Sequence, residues 1–289
     1  MPLSFQSPYL AAGYTWRRGN LHTHTTQSDG TLSPADTAAA YGRLGYAFLC
    51  ISDHDTLTWP VEAPQGLIMI PGVEVGGGPH ILAVGVETVP SHRRSRQQAL
   101  DEIAQLGGIG ILNHPNWEAD YNHFPQKEME SLTGYAGIEI YNGVVEYLEG
   151  EALAMDRWDQ LLSSGIPAWG FAHDDTHHER LIGHGWLMAQ LTEESRDGVM
   201  DALRNGRFYA STGVDIVRVS VEGGTIVVDT SNGEHIRYIG PHGRLLHKSD
   251  GPSAVYRPRD GAVGYARIDC YGRGAARAWT QPIFFAPEG

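Results

Sequence analysis

Between residues 18 and about 205, short β-rich runs alternate with helical patterns, and after residue 213 the helical patterns stop. Alternation of this kind is what a mostly parallel sheet needs, because each parallel return requires a long crossover, usually a helix. The strand runs are RGNLHTHT, YAFLCISDHD, GLIMIPGVEV, PHILAVGV, GIGILNHP, AGIEIYNG and IPAWGFAHD. Between them lies PADTAAAYGRLG, with Ser33 as cap and Pro34 at the first helical position, followed further on by SRQQALDEIAQLG, EGEALAMDRWDQLLSSG and TEESRDGVMDALRNG. In the tail, VDIVRVSVEGGTIVVDT, HIRYIGP, AVGYARIDCYG and AWTQPIFF alternate apolar and polar residues between glycine and asparagine turns. The pattern predicts an α/β unit over residues 1–213 and a small antiparallel β domain over 214–289.

In a parallel α/β barrel, functional groups gather at the C-terminal ends of the strands. Here those ends carry polar residues one after another. His22 and His24 stand at i and i+2 in NLHTHTTQSDG, a spacing that turns both imidazoles to one face of an extended segment. Asp53 and His54, Glu74, His80, His114 and Asn142 follow, and then AHDDTHH brings His173, Asp174, Asp175, His177 and His178. A single histidine at a strand end is ordinary structure, but eleven of the fourteen histidines fall before residue 185. Imidazole and carboxylate donors without thiolates suit Zn²⁺, Mn²⁺ or Fe rather than Mg²⁺ or Ca²⁺. The two cysteines, Cys50 and Cys270, suggest neither a disulfide framework nor a thiolate site.

Charge narrows the partners. Lys and Arg total 21 against 34 Asp and Glu, a balance that repels polyanions, so duplex nucleic acid is not an expected partner and a small-molecule substrate is. The N-terminal stretch lacks the basic start and apolar run of a signal peptide, and no later run reaches membrane-spanning length. The expected location is cytoplasmic, with no membrane partner, and the oligomeric state is not readable.

Taken together, HTHTTQSDG, ISDHDTL, PGVEV, NHP and DTHH resemble the PHP (polymerase and histidinol phosphatase) superfamily of metallohydrolases. The later elements IEIYNG, GRFYASTG and ARAWTQPIFF are similar to the branch typified by carbaryl hydrolases, the CehA/McbA group. The resemblance covers roughly residues 18 to 213 and continues more loosely through the tail. It implies a distorted (β/α)7 barrel holding two or three divalent metal ions. By motif, His22 and His24 would bind the first ion with Asp175, and Glu74 would bridge to a second ion that His114 also binds. His80 is a further candidate for that second site. Asp29, His54 and His177 match a third, although part of the family has histidine in place of Asp29, which leaves that site's occupancy and metal preference open.

Two such ions ~3.5 to 4 Å apart can share a carboxylate and a water, and metal binding brings the pKa of water from about 15.7 to around 7. The expected nucleophile is therefore a metal-bridging hydroxide. The expected activity is phosphoester hydrolysis, as a phosphomonoesterase or phosphodiesterase. A carbamate or carboxylic (aryl) ester hydrolase using the same centre is the alternative, and a noncatalytic metal-stabilised module is a second one. His173 and Asp174 are candidates for general acid or for support of the metal ligands. Arg180 offers a fork for a substrate phosphate or is simply solvated. Asn142 stands at the expected rim or in an ordinary Asn-Gly turn. In NWEADYNHFP, Trp117, Tyr121 and Phe124 would stack on an aryl or nucleobase leaving group or else anchor their loop. Tyr209, Ser211 and Thr212 line the pocket or serve packing. SHRRSRQQ reads as a solvated basic face, and Gly76 to Gly78 as a turn.

Overall fold

The computed structural model describes residues 2–91 and 95–288. The N-terminal part contains β1 (Leu3–Gln6), β2 (Thr15–Asn20), α1 (Pro34–Arg43), β3 (Phe48–Ile51), β4 (Ile68–Val75), β5 (Ile81–Val84), α2 (Arg96–Gln105), β6 (Ile109–Leu112), α3 (Gln126–Ser131), β7 (Gly137–Asn142), α4 (Met155–Ser163) and β8 (Trp169–His173). There follow β9 (Trp186–Leu191), α5 (Arg196–Arg204), β10 (Phe208–Ser211), β11 (Ile216–Glu222), β12 (Thr225–Thr230), β13 (His235–Gly240), β14 (Arg244–Asp250), β15 (Ser253–Tyr256), β16 (Gly264–Tyr271), β17 (Arg277–Thr280) and β18 (Ile283–Pro287).

Continuous apolar runs make the central strands. Every residue of FLCI in β3, ILAV in β5 and IGIL in β6 is buried, as strands covered on both faces require. Capping agrees with the sequence. The Ser33 hydroxyl accepts the Asp36 N–H at the start of α1, and Ser95 with Gln98 forms a reciprocal capping box at α2.

The sheet is α/β but departs from a strict (β/α)7 repeat. β2, β3 and β4 run parallel, as do β6, β7 and β8, whereas β5 is antiparallel to both β4 and β6. The cause lies in residues 76–80, which join β4 to β5: a link that short permits only an antiparallel return. No helix separates β3 from β4 either. No ladder joins β8 to β2, but the two ends meet in the isolated parallel bridge Thr23–Thr176, where the His24 N–H donates to the Thr176 carbonyl at 2.9 Å. The free edge of β8 is satisfied by a side chain: Gln281 accepts the Gly170 N–H at 2.8 Å and donates to the Gly170 carbonyl at 2.9 Å. One primary amide thereby stands in for a missing strand.

β2 also pairs antiparallel with β9, and the sheet continues through β10, β17, β16 and β18 to β1, so C-terminal strands share one sheet of 15 strands with β2 to β8. β11, β12 and β15 form a separate sheet of three.

Two local expectations need correction. The helix expected across residues 149–165 begins only at Met155, because residues 150–153 are tied as an extended segment by the bridges Trp117–Gly150 and Tyr141–Leu153. The expected basic face fails at Arg96, which is buried and donates to the carbonyls of Val75 and Pro79, pinning the glycine turn; Arg93 and Arg94 lie outside the described residues. Cys50 and Cys270 are buried free thiols. Among the described residues no helix is long and apolar enough to cross a membrane.

Candidate metal centre

The chain after β2 leaves the sheet as Leu21 to Thr25, and the Thr23 bridge holds it extended, so His22 and His24 turn to the same side with ring centroids 5.2 Å apart. Both are buried. The loop that follows folds back tightly enough that a Cβ on Gly30 would lie 2.5 Å from the His24 backbone, which is why glycine closes SDG. Asp53 orders this loop rather than facing the centre. Its carboxylate accepts from the Thr25 N–H and the hydroxyls of Thr25 and Ser28, each at 2.7 Å.

Glu74, from the end of β4, occupies the middle of the cluster. Its Oε1 lies 3.2 Å from His22 Nε2, His80 Nδ1 and His114 Nε2, while its Oε2 lies 3.0 Å from His54 Nδ1 and 3.4 Å from His24 Nε2. One carboxylate therefore faces two groups of imidazoles with different oxygens. Asn113 fixes its orientation by donating to Oε1 at 2.7 Å. Asp175, after β8, places Oδ1 3.1 Å from His24 Nε2 and 3.3 Å from His22 Nε2. At the outer side, Asp29 Oδ2 is 3.4 Å from His177 Nε2 and 3.6 Å from His54 Nε2. Asp29, His54, Glu74, His80, His114, Trp117, Asp175 and His177 thus line one cavity of about 210 Å³.

The donor atoms are arranged for something positive. His22 Nε2, His24 Nε2, His80 Nδ1 and Asp175 Oδ1 are buried and make no hydrogen bond in spite of their proximity. Polar atoms left so are costly unless a ligand completes them. Nitrogen and carboxylate donors in groups of three and four, such as His24, Asp29, His54 and His177, fit divalent ions of the Zn²⁺, Mn²⁺ or Fe type. His114 and Asp175 both hold left-handed backbone conformations, at φ 27° and 51°, a strain of roughly 1–3 kcal/mol each that their surroundings must enforce.

Beneath the cluster sits a residue that the sequence reading passed over. Glu139, on β7, is buried; its Oε1 accepts from His22 Nδ1 at 2.7 Å and His173 Nδ1 at 2.8 Å, and its Oε2 from the His114 N–H at 2.8 Å and the Asn142 amide at 2.9 Å. Holding the Nδ1 proton of His22 leaves the Nε2 lone pair facing the cavity. The signal was present as one acid inside the apolar run GIEIYN. His177 is fixed likewise, its Nδ1 donating to the Asp175 carbonyl at 2.9 Å.

The remaining candidates separate. His173 is buried against Glu139 and does not line the cavity, which suits support of His22 rather than contact with a substrate. Asp174 accepts from Tyr41 and the N–H groups of Gly183, His184 and Gly185. Asn142 lies under the centre, donating to Asp175 at 3.1 Å, and is not at the rim. Arg180 is exposed, 6.0 Å from the Tyr147 ring, and is absent from the cavity lining. Trp117 lines the cavity, Phe124 is buried and anchors the loop, and Tyr121 is exposed. His123 accepts the His80 N–H on Nε2 at 3.0 Å and donates from Nδ1 to Glu118 at 2.8 Å. Burial and the neighbouring His114 pull it down to about 4. His178 is exposed, while Tyr209 and Ser211 are buried and bonded to the backbone.

Electrostatics follow from this crowding. Burial alone would lower His22, but Asp175, Glu74 and Glu139 carry it well above the ordinary imidazole value, and Asp175 and Glu74 raise His24 in the same way. Burial would raise Glu74 and Asp175, yet the imidazoles around them hold both well below the usual carboxylate range. His177 holds Asp29 low.

No family model and no curated protein matches the chain. Among solved structures, a two-domain protein from Bacteroides vulgatus ATCC 8482, described as containing a predicted PHP-like metal-dependent phosphoesterase, is similar with a TM-score of 0.57 at 17% identity, covering 92% of this chain and 93% of that one. PsfC from Pseudomonas syringae PB-5123 is similar with a TM-score of 0.50 at 11% identity, covering 66% of this chain and 90% of that one. The fold is thus a PHP-like one, shared along nearly the whole chain with the first of these. Neither likeness reaches the finer carbaryl-hydrolase branch.

Proposed function

We propose that this chain is a metal-dependent hydrolase of phosphoesters, a phosphomonoesterase or phosphodiesterase, that holds two or three divalent ions of Mn, Zn or Fe. The observation that carries the reading is Glu74, whose two oxygens address two separate imidazole groups within one cavity. His22, His24 and Asp175 would hold one ion, Glu74 would bridge it to a second held with His114 and His80, and Asp29, His54 and His177 would hold a third. When bound, such ions supply a hydroxide nucleophile near neutral pH and neutralise charge on the transferring group. The chain's own contribution is orientation. Glu139 sets the His22 tautomer and buttresses His173, Asn113 aims Glu74, and Asn142 aims Asp175. The neighbour described as containing a predicted PHP-like metal-dependent phosphoesterase supports the same reading.

One feature favours a second reading. The cavity is walled on one side by Trp117, Val144, Val145 and Leu148, and among the described residues its lining contains neither lysine nor arginine. An apolar wall without fixed cations suits a carbamate or aryl ester at the same centre. The deciding experiment compares kcat/KM for bis(4-nitrophenyl) phosphate and a 4-nitrophenyl carbamate on protein reconstituted with Mn²⁺, Zn²⁺ or Fe²⁺, with a chelated control. Chelator-sensitive preference for the phosphodiester is expected. Preference for the carbamate moves the chain to the carbon-ester reading, and absence of turnover on both while the metal-loaded fold persists leaves only a noncatalytic module.

A further inference from the structure

A cavity of about 660 Å³ lies against the metal cavity: Val145 and Leu148 line both. The ridge that carries them, residues 144–148, follows β7, so it is set by the same strand that carries Glu139. Gly183 and His184 line it further along, and the C-terminal part adds the turn at Ala275 and the start of β17 at Arg277. A molecule reacting at the metals and extending over Leu148, which is 50% exposed, enters this groove next.

We infer that this groove is the subsite for the alcohol portion of the substrate, and that it takes a neutral, hydroxyl-rich group, a sugar or polyol. The inference rests on the ester-hydrolase reading and names its substrate class. Glu146 and Glu151 offer carboxylate acceptors from the β7 side, and Arg277, whose guanidinium carbon lies 5.4 Å from the Tyr271 ring, offers donors from the C-terminal side. Hydroxyls both donate and accept, so they can meet both kinds of group. Two carboxylates against one guanidinium in a chain of net charge −13 disfavour a second phosphate or a polyanionic leaving group. The volume falls within the usual range of small-molecule sites, large enough for a sugar-sized group. The role also gives the C-terminal strands a part in specificity without a part in the chemistry.

Two readouts on metal-loaded protein test this. Saturation-transfer NMR with millimolar methyl α-glucopyranoside reports the groove without any turnover. Transfer is expected in the wild type and is expected to vanish in Ala275→Trp, which puts an indole at an exposed wall position. The ratio of kcat/KM for glucose 1-phosphate to that for 4-nitrophenyl phosphate should fall at least tenfold in the same variant, and severalfold in Glu151→Gln, an exposed change that leaves the fold no reason to fail. Absence of transfer in the wild type, transfer that survives in both variants, or an unchanged ratio overturns the subsite. If neither phosphoester is hydrolysed by the wild type, the phosphoesterase reading fails, and the NMR result still decides the groove by itself.

Discussion

At Arg267 the guanidinium is 3% exposed and its nitrogens are matched: Nε and Nη2 each donate to Asp159 at 2.9 Å, Nη1 pairs with Asp269, and the plane lies 5.3 Å from the Trp158 ring. At the candidate metal centre four polar atoms, on His22, His24, His80 and Asp175, are as enclosed as that guanidinium, yet they have no hydrogen bond. The first cluster joins α4 to β16 and is complete as it stands. The second is built by more residues and is incomplete. Buried charge is costly in either place, so the difference lies in what finishes the network: the chain itself in one case, a ligand in the other. Unfinished polar networks are therefore a better guide to function here than burial or charge taken alone.

The most severe way to test the contrast is Glu74→Gln. Loss of a partner that only orients a metal ligand costs about 10–100-fold, so removing a charge shared by two imidazole groups should cost more, with turnover falling below detection. The thermal midpoint of the chelated protein should stay within a few degrees, because a centre awaiting ligands is not what holds the fold. Wild-type-like turnover would sink the bridging role. Arg267→Met probes the other cluster and should behave in the opposite sense. It leaves Asp159 and Asp269 buried without their cation, at about 3–5 kcal/mol, read as a lowered urea midpoint. Metal content per folded molecule should not change. If Arg267→Met strips metal, the two clusters are coupled and the contrast fails.

Glu139→Gln sits between these extremes, since it is a fully satisfied residue that serves the unsatisfied cluster. Its amide oxygen can still accept from His22 and His173, which share Oε1, but its NH2 group then faces the His114 N–H and the Asn142 amide, two donors that Oε2 accepts from in the carboxylate. A loss of about 10–100-fold in metal affinity is expected, measured by competition with a chromophoric chelator, with stability falling less than in Arg267→Met.

How much of this was legible in the sequence divides along the same line. The strand pattern put His22, His24, Glu74, His114, Asp175 and His177 near converging strand ends together with Asp53, His173 and His178, and it was the motif resemblance, not order and spacing, that separated the first six from the rest. The runs FLCI, ILAV and IGIL were equally plain, being apolar throughout. What escaped were residues whose meaning depends on a partner distant in the chain. Glu139 is one acid in an apolar strand until the histidines it serves are folded onto it. Gln281 is an unremarkable loop residue until β8 presents a bare edge to it. The reversal of β5 was hidden because periodicity reports a strand and not its direction, although the short link at Gly76 to Gly78 contained the answer. Arg96 read as solvated because the carbonyls of Val75 and Pro79 that it reaches leave no trace in a sequence.

The mildest test uses pH. In the absence of metal, nearby carboxylates raise His22, His24 and His177 above the ordinary value near 6.5, so these imidazoles keep their protons to higher pH than a free imidazole does. A metal must expel those protons to bind. Apparent affinity should then rise with pH by up to about tenfold per unit for each proton displaced, and level off once pH passes the raised values. The stability of the chelated protein should move the other way. Groups with raised folded values stabilise below about 6.5, and that contribution fades as pH climbs through the raised values. Glu74 and Asp175, held low, contribute above about pH 4 and lose that contribution only in stronger acid. Chelated protein should therefore melt lower at pH 9 than at pH 6 while metal affinity increases over the same interval. Arg267 stays charged throughout that interval, so the Arg267→Met deficit in urea should carry no such slope. Metal affinity that is flat from pH 6 to 8 would mean the imidazoles are already neutral in the metal-free protein, and the centre would then be less dependent on its ligand than the Arg267 comparison holds.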